Sequence, residues 1–371
     1  MTKFSPYPIM LKLAISCMFA CIVSGSVPSY AQSETPVSQQ SASHFADSFI
    51  TLNIDSEHLG EERPVLVRLP TDYAATATKD YPVLFVLNEK SNFEWASYIV
   101  DLQASKFGIE DMLIVGLPHI GQYTRDNYPF AAPKNNELNP QAQKYSAFIR
   151  QEVIPLIEER YRVNNGRTII GHSLSGLFAM HMFTQHNDTF STFVALSPSL
   201  HQAPQMIPLM QEFLGQQHKR SSQIYMSLGS LEHGQIQQGY DALADVFQQT
   251  GQQSGKWELN RMPNTDHLLA AFKGTYNALA WMYADYTIQS EAAETMQKSD
   301  YISHYDDLSD RLGYPVKPRK RHLTGYAQFM ARRVGNRQAA FTALDVAAHY
   351  YPTATDIDTL REELNALPAR Q

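Results

Sequence analysis

The stretch Arg167–Met180, RTIIGHSLSGLFAM, decides how the rest of the chain is interpreted. Residues 168–170 are strand formers, two glycines bound the tight turn at 171–176, and residues 177–180 begin a helical pattern. A strand followed by a sharp turn and an immediate helix lifts the serine at the apex, Ser173, above the edge of a sheet. The helix N-terminus beneath it favours developing negative charge. The stretch therefore predicts a nucleophilic serine.

One letter departs from the G-x-S-x-G pattern that is typical of a nucleophile elbow. Ser175 stands where the pattern has its second glycine, and Gly176 follows it. Because serine is small enough for a strained turn, we interpret the stretch as an elbow. The alternative interpretation is a glycine-rich strand-to-helix turn without chemistry.

Short apolar runs alternate with helical patterns on both sides of this turn. Strands are predicted at residues 48–54, 63–69, 82–87, 112–117, 168–170, 190–196, 223–228 and 257–262. Helices are predicted at residues 93–107, 145–161, 177–186, 205–214, 235–249 and 268–288, and Pro155 is expected to bend the second. This alternation predicts an α/β protein with a mostly parallel sheet, helices on both faces and two antiparallel entry strands. The order is that of the α/β-hydrolase fold, over residues 47–290.

The amino-terminal residues predict export. Two lysines precede an apolar run at residues 13–23 that is too short for a comfortable membrane span, and Ser29 and Ala31 suit a signal peptidase. We expect a signal peptide at residues 1–31, a flexible Ser/Gln-rich lead at 32–46, and a periplasmic or secreted protein with no membrane attachment after cleavage. A retained anchor or a lipid-modified Cys21 are the alternatives.

The composition excludes several classes of site. The 371 residues carry a net charge of −7, so nothing suggests a nucleic-acid surface, and the basic run at 317–321 is interpreted as a solvated helix start. Both cysteines lie in the predicted signal peptide, and neither H-x-x-x-H, H-E-x-x-H nor a glycine-rich phosphate loop occurs. We therefore expect no metal and no cofactor.

The carboxyl-terminal region, residues 295–371, has no strand pattern. Helices are predicted at about 300–312, 320–334, 336–350 and 355–366. The last turn-and-helix positions, Gly335, Ala340, Ala347 and Pro352, follow part of the tetratricopeptide pattern, although only one repeat is present and its leading aromatic is missing. We interpret the region as a helical appendage packed on the hydrolase domain; the alternative is a docking module for a protein partner.

Acyl transfer by a serine needs a base, an acid that orients it, and donors for the oxyanion, and in this fold the chain order is serine, acid, histidine. The acid is predicted to be Glu232, which follows the strand at 223–228; its alternative role is an exposed loop carboxylate, and the runners-up are Asp241 and Asp245. The base is predicted to be His267, which follows the last strand; its alternative role is a histidine at a helix start. The other histidines near these motifs, His172, His201, His218 and His233, are out of order, and His172 is expected to pack beneath the elbow.

Two backbone N–H groups are predicted to form the oxyanion hole. One belongs to Leu174, the residue after the nucleophile, and the other to Glu89, in the loop after the third strand. Three side chains are weaker candidates for substrate contacts. Arg125 would meet an acidic substrate group, unless it only pairs with its neighbour Asp126, and Tyr128 and Trp95 would line an aromatic-tolerant pocket, unless they only pack in the core.

Several segments together resemble the “Putative esterase” family of α/β-hydrolases, which includes siderophore esterases, S-formylglutathione hydrolases, feruloyl esterase domains and mycolyltransferases. The segments are LGEERPVLVRLP at 59–70, YPVLFVLN at 81–88, TRDNYPF at 124–130, FIRQEVIPLIEERYRV at 148–163, GHSLSGLFAM at 171–180 and LSPSL at 196–200. The resemblance implies the same nucleophile, acid and base, Ser173, Glu232 and His267. Asn88 and Glu89 replace the Asp-Gly that is common in the family.

These observations predict an exported serine hydrolase that cleaves carboxylic esters through an acyl-enzyme. By resemblance, the ester is of the siderophore type; a small acyl or aryl ester is the alternative substrate. Two further hypotheses are an acyltransferase of the same fold and a non-catalytic binding or scaffold protein that uses the helical tail.

Overall fold

The computed structural model describes residues 49–131, 136–216, 222–250 and 256–368. The predicted signal peptide and flexible lead, residues 1–46, lie outside the described residues, as does His218. From Phe49 onward the described chain belongs to one compact unit. In that part of the chain, no helix combines the length and the apolar character needed to cross a bilayer.

Eight strands form a single sheet, and each lies where the sequence predicts one. The strands are β1 (Ile50–Ser56), β2 (Glu61–Arg68), β3 (Tyr81–Leu87), β4 (Leu113–Leu117), β5 (Val163–His172), β6 (Thr192–Leu196), β7 (Gln223–Gly229) and β8 (Trp257–Met262). Their order across the sheet is β1-β2-β4-β3-β5-β6-β7-β8. Strand β2 pairs antiparallel with β1 and β4, and all other pairs are parallel. The predicted α/β fold with a mostly parallel sheet is confirmed.

Helices connect and follow the strands. In chain order they are α1 (Lys90–Leu102), α2 (Tyr123–Asn127), α3 (Pro140–Phe148), α4 (Ile154–Arg160), α5 (Leu174–Gln185), α6 (Met206–Leu214), α7 (Gly234–Thr250), α8 (His267–Met282), α9 (Ser290–Ala293), α10 (Lys298–Leu312), α11 (Lys320–Phe329), α12 (Arg337–Tyr350) and α13 (Thr355–Asn365). Short π-helical turns at Gln103–Phe107, Ile149–Val153 and Met330–Val334 extend α1, α3 and α11.

The sheet is buried on both faces, which explains its continuous apolar strands. All seven residues of β3 and all five of β4 and β6 are buried. One hydrophobic core lies between the sheet and the face covered by α3–α7, and it includes Phe85, Phe178 and Phe193. A second core lies on the face covered by α1 and α8 and includes Leu84 and Ile170. Burial on both faces is the property that distinguishes a parallel sheet of this class.

Two of the predicted helices differ in the structure, and the short helices α2 and α9 were not predicted. The helix expected to run to residue 288 ends at Met282, because the chain turns to bury Tyr283 and Tyr286. The Tyr286 hydroxyl then donates to a carboxylate oxygen of Glu110 at 2.6 Å. The expected bend at Pro155 takes the form of the π-helical turn at Ile149–Val153, since proline lacks the N–H that an α-helix needs at that position.

The carboxyl-terminal helices share the second core with α1 and α8. Tyr314 packs against Gly166 at the start of β5, where a Cβ atom would lie 2.3 Å from the tyrosine ring, and its hydroxyl lies 2.9 Å from that of Tyr283. The region is therefore a part of the compact fold that covers the ends of β5 and α8 away from the elbow. Ala340 and Ala347 are fully buried, but the likeness to a tetratricopeptide repeat stays a prediction.

Candidate active site

Ser173 occupies the strained turn that the sequence predicts. Strand β5 ends at His172 and α5 begins at Leu174, and Ser173 between them has φ +60° and ψ −119°, which is unusual for a residue other than glycine. A Cβ atom on Gly171 would lie 2.0 Å from the backbone oxygen of Ser175. The glycine is required because strand and helix approach so closely, and backbone strain of this kind is typical of functional sites.

Ser175 stabilises the turn rather than merely fitting into it. Its hydroxyl donates to the backbone carbonyl of His172 at 2.8 Å and accepts from the backbone N–H of the same residue at 3.0 Å. The side chain is fully buried. The departure from G-x-S-x-G therefore replaces a second glycine with a residue whose hydroxyl satisfies both backbone groups of His172.

The hydroxyl of Ser173 lies beside a second serine hydroxyl, which is not among the residues predicted for the site. The two oxygens, Ser173 Oγ and Ser199 Oγ, are 3.1 Å apart, and the backbone N–H of Ser199 donates to the carbonyl of Ser173 at 3.2 Å. Ser199 is 1% exposed and follows β6, which pairs directly with β5. The only sequence signal for it is its place in the segment LSPSL.

Glu232 and His267 meet as the chain order predicts. The Nδ1–H group of His267 donates to Glu232 Oε2 at 2.7 Å. The carboxylate is enclosed, whereas the His267 side chain is 35% exposed. His267 is also the first residue of α8, where Asp266 caps the helix by accepting from the backbone N–H of Leu269 at 2.8 Å. His267 is therefore paired with Glu232, as expected, and is also the first residue of a helix, as in the alternative interpretation.

Backbone contacts hold the loops of the acid and the base against each other. The N–H of Leu231 donates to the carbonyl of Thr265 at 3.0 Å, and the N–H of Asn264 donates to the Ser230 hydroxyl at 2.9 Å. A Cβ atom on Gly229 would lie 2.3 Å from the Thr265 carbonyl. This close approach keeps the Glu232–His267 distance short without help from either side chain.

The environment of Glu232 keeps it ionised. Burial alone would raise its pKa, but the hydrogen bond with His267 and the neighbouring Ser197 hydroxyl and Gly229 backbone outweigh burial and lower the pKa. The Ser197 hydroxyl lies near the Glu232 carboxylate, although it forms no regular hydrogen bond with any described residue. Because the carboxylate accepts the Nδ1 proton, Nε2 of neutral His267 is left as the acceptor.

His172 supports the candidate base from below. Its Nε2–H group donates to the backbone carbonyl of His267 at 2.8 Å, and the two ring centroids are 4.5 Å apart. Burial, followed by repulsion from His267, lowers the pKa of His172 to about 4, so its ring is neutral near pH 7. The expectation that His172 packs beneath the elbow is confirmed, and its hydrogen bond adds a link that the sequence did not predict.

The predicted oxyanion donors lie at neighbouring points on the same edge of the sheet. Strands β3 and β5 pair Val86 with Ile170, so Glu89 and Ser173 both lie three residues beyond this pair. Leu174 is the first residue of α5, where N–H groups have no intrahelical acceptor, and Glu89 is the N-cap of α1. The N-termini of α1, α5 and α8 all meet this edge and favour negative charge there.

The loop between β3 and α1 turns at Asn88, which has φ +87°. Its backbone N–H donates to the carbonyl of Leu117 at 3.0 Å, and its side chain is 5% exposed. Asparagine tolerates this left-handed conformation better than most residues.

Two of the predicted substrate-contact residues, Arg125 and Tyr128, are hydrogen-bonded to other groups of the protein. The guanidinium of Arg125 is held by both carboxylate oxygens of Glu61, at 3.0 and 2.6 Å, and by Asp126 at 3.0 Å. The Tyr128 hydroxyl donates to the carbonyl of Gln202 at 2.7 Å. Arg125 thus forms the expected ion pair with Asp126, and Tyr128 braces the loop after β6.

Trp95 contacts α8 through its ring. Its ring is 37% exposed and meets Phe272 edge-on, with centroids 6.4 Å apart. It lines a small cavity together with His172 and Thr275.

Asp241, an alternative candidate for the acid, pairs with Arg261 on β8. No group of three His, Cys, Asp or Glu side chains arranged to hold a metal occurs within the described part of the chain.

Comparison with known proteins agrees with this fold. Residues 56–283, more than half of the chain, match the family model described as “Putative esterase”. The chain is 31% identical over 145 residues to the ferri-bacillibactin esterase BesA of Bacillus subtilis (strain 168), across 33% of this chain and 48% of BesA. It is 35% identical over 86 residues to a siderophore enterobactin esterase of Emericella nidulans, across 22% of this chain and 28% of that protein. The chain thus spans half or less of the length of these two curated relatives.

Among solved structures, the fold is similar to that of an IroE-like serine hydrolase from Shewanella oneidensis. The TM-score is 0.69 at 23% sequence identity, and the match covers 81% of this chain and 99% of that chain. The siderophore hydrolase EstA from Aspergillus nidulans matches with a TM-score of 0.54 at 16% identity, over 64% of this chain and 95% of that chain. At these identities the likeness shows a shared fold, whereas the family match places the chain by its sequence: it belongs to the “Putative esterase” family of α/β-hydrolases.

Proposed function

We propose that this protein hydrolyses carboxylic esters through an acyl-enzyme on Ser173, with His267 as base and Glu232 as the acid that orients it. The observation that carries the proposal is the 2.7 Å hydrogen bond between His267 and an enclosed Glu232, at the sheet edge where Ser173 sits on a strained turn. Acyl transfer needs a serine nucleophile, a histidine base and a carboxylate that orients the histidine.

The first half of the reaction forms the acyl-enzyme. Ser173 Oγ attacks the ester carbonyl carbon while its proton passes to Nε2 of His267. The carbonyl oxygen becomes an oxyanion, which accepts from the backbone N–H groups of Leu174 and Glu89. Glu232 stabilises the imidazolium. When the tetrahedral intermediate collapses, the bond to the alcohol oxygen breaks and the alcohol leaves with the proton from His267.

The second half releases the acid. Water attacks the acyl carbon and gives its proton to Nε2 of His267, and a second oxyanion forms in the same place. Collapse of this intermediate breaks the bond to Ser173 Oγ, which recovers its proton from His267. The products are a carboxylic acid, an alcohol and the free enzyme, so no cofactor or metal is needed to balance the reaction.

The relatives suggest the substrate. BesA is named a ferri-bacillibactin esterase and the Emericella nidulans protein a siderophore enterobactin esterase. On that support we propose a siderophore-type ester as the substrate, with small acyl or aryl esters as the alternative. A panel of p-nitrophenyl esters and of iron-free and ferric trilactone siderophores would rank these by kcat/KM.

The test of catalysis compares wild type with Ser173→Ala on the best ester of the panel. We expect turnover to fall to the level of the buffer in the variant while its melting temperature stays close to that of wild type. Turnover that survives the substitution would overturn the assignment. The absence of turnover on every ester would favour the binding or scaffold hypothesis, in which the α11–α12 pair meets a protein partner.

Export is a separate part of the proposal. It is supported by the pattern of residues 1–31, in which lysines precede a short apolar run and a small-x-small site. We expect expressed protein in the periplasm or medium to begin at Gln32. N-terminal sequencing of the fractionated protein checks this, and an intact amino terminus in the membrane fraction would show a retained anchor instead.

A further inference from the structure

A cavity of about 420 Å³ lies among the carboxyl-terminal helices. Its walls come from residues 287–293 and from α10 and α11. These elements follow the end of α8, and a 16-residue helix spans about 24 Å, so the cavity lies well away from His267 at the start of that helix. The volume falls within the range of small-molecule sites.

Most of the lining is apolar, and a few polar groups converge on it. The apolar part includes Ile288, Leu323, Tyr326 and Phe329, and the ring of Phe329 is 50% exposed. An apolar cavity with a small number of placed polar groups is the usual form of a ligand site.

Tyr301 contributes a polar group to the lining. It lines the cavity, its side chain is 3% exposed, and its hydroxyl has no hydrogen-bond partner among the described residues. The hydroxyl oxygen is not among the fully enclosed polar atoms that lack a hydrogen bond, so it is open to the cavity and available to a ligand. The neighbouring Tyr305, for comparison, donates to the carbonyl of Tyr286 at 2.9 Å.

The charge around the cavity favours an anion. Arg321 lines it as a solvent-exposed residue that also borders a neighbouring groove, and its guanidinium forms no ion pair or hydrogen bond within the part of the chain that the structure describes. Burial, followed by repulsion from Arg319 and Arg321, lowers the pKa of His322, another lining residue. The carboxylates of Glu291 and Glu294, in and just after α9, are exposed to solvent.

Gly325, an exposed residue of α11, leaves the space beside this helix open. Glycine weakens the interior of a helix relative to alanine, and Gly325 lies inside α11. A Cβ atom there would meet no atom within 4 Å, so packing does not require the glycine. Because Gly325 lines the cavity, a larger side chain at this position would fill the space.

We propose that this cavity binds a small amphipathic anion, a carboxylate with an aromatic or branched apolar body. The carboxylate lies against Arg321 and the Tyr301 hydroxyl, and the apolar body lies among Leu323, Tyr326 and Phe329. The site is distinct from the proposed catalytic centre and does not depend on it.

The test uses 2-naphthoate as the probe and titrates it by calorimetry and saturation-transfer NMR against the full chain. We expect saturable binding of one probe per chain, and binding of the uncharged 2-naphthalenemethanol weaker by about tenfold, since a charge-assisted contact is lost. The proposal would be overturned if 2-naphthoate showed no saturable binding. It would also be overturned if the charged and uncharged probes bound with equal affinity.

Three variants locate the probe. Gly325→Leu should abolish binding while raising the melting temperature, because it fills the cavity and improves the helix. Arg321→Gln and Tyr301→Phe should each weaken binding severalfold, whereas Arg332→Gln, a matched control that removes an exposed ion pair with Glu363, should not. Unchanged binding in Gly325→Leu would place the probe elsewhere and refute the site. Ester turnover, measured in parallel, should be the same in all four variants.

Discussion

The Nε2–H group of His172 donates a 2.8 Å hydrogen bond to the backbone carbonyl of His267, which links the residue before the proposed nucleophile, Ser173, to the proposed base. His267 is therefore positioned through two groups, since Glu232 holds its ring and His172 holds its backbone. A neutral His172 does this without opposing the imidazolium that would form on His267 in the proposed reaction.

This link predicts that His172 is a positioning residue. His172→Phe should lower kcat by about 5- to 100-fold with little change in KM, because a hydrogen bond is lost and the base shifts. His172→Gln, whose amide can donate, should recover part of the loss. The acidic limb of the pH–kcat/KM profile should shift in the Phe variant only. Equal profiles for both variants and wild type would show that His172 only packs.

Glu232 should matter more for rate than for stability. Glu232→Gln keeps the shape but favours the wrong tautomer of His267, so kcat should fall on the order of 10³- to 10⁴-fold. The runner-up carboxylate gives the matched control, because Asp241 is held by Arg261 on the surface and Asp241→Asn should leave kcat unchanged. Steady-state kinetics on one ester decides between them, and a large loss in the Asp241 variant would reassign the acid.

Ser199 should assist the nucleophile directly. When the Ser173 hydroxyl donates to His267, the 3.1 Å contact between the serine oxygens requires Ser199 to donate to Ser173 Oγ. That donor stabilises negative charge on the attacking oxygen, so Ser199→Ala should lower kcat about fivefold with little change in KM. Ser146→Ala, which removes a buried hydroxyl bonded to the carbonyl of Ala142, is the control for packing alone. Equal kcat in the two variants would leave Ser199 without a role in the reaction.

Stability should fall as the pH drops from about 6.5 towards 4. Burial lowers the pKa of His172 to about 4 and of His181 to about 3, whereas unfolded histidine titrates near 6.5. Between these values the unfolded state binds more protons, so stability is complete above pH 6.5 and is lost on acidification, at up to about 1.4 kcal/mol per pH unit for each histidine. Urea unfolding at pH 7.5, 6 and 5 measures the slope, which should be shallower in His181→Phe. A flat profile over this range would show that these rings titrate normally.

Much of the fold followed from patterns that are local in the sequence. All eight strands and the four carboxyl-terminal helices lie where apolar periodicity predicts them, because burial on both faces leaves continuous apolar strands and helices leave a 3.6-residue pattern. The end of α8 was not predictable from the sequence, because Tyr283 and Tyr286 fit a helical stripe as well as they fit the turn that buries them. That turn is stabilised by Glu110, more than 170 residues away in the chain.

The candidate site was also predictable from the sequence only in part. The pairing of Glu232 with His267 was expected from chain order, because the fold brings the carboxyl ends of β7 and β8 together. Ser199 and the His172 contact were not expected, since they depend on the register between β5 and β6 and on where α8 begins. Sequence patterns indicate which residue types are present at an edge, but not which hydroxyl lies 3.1 Å from another.

The central claim is that Ser173 carries the acyl group. The most direct measurement is mass-spectrometric peptide mapping after reaction with a fluorophosphonate, which forms a stable adduct with activated serines. We predict one adduct per chain on the peptide that contains Ser173, no adduct in Ser173→Ala, and slower labelling in Glu232→Gln. An adduct on a different residue, or unchanged labelling in Ser173→Ala, would contradict the claim.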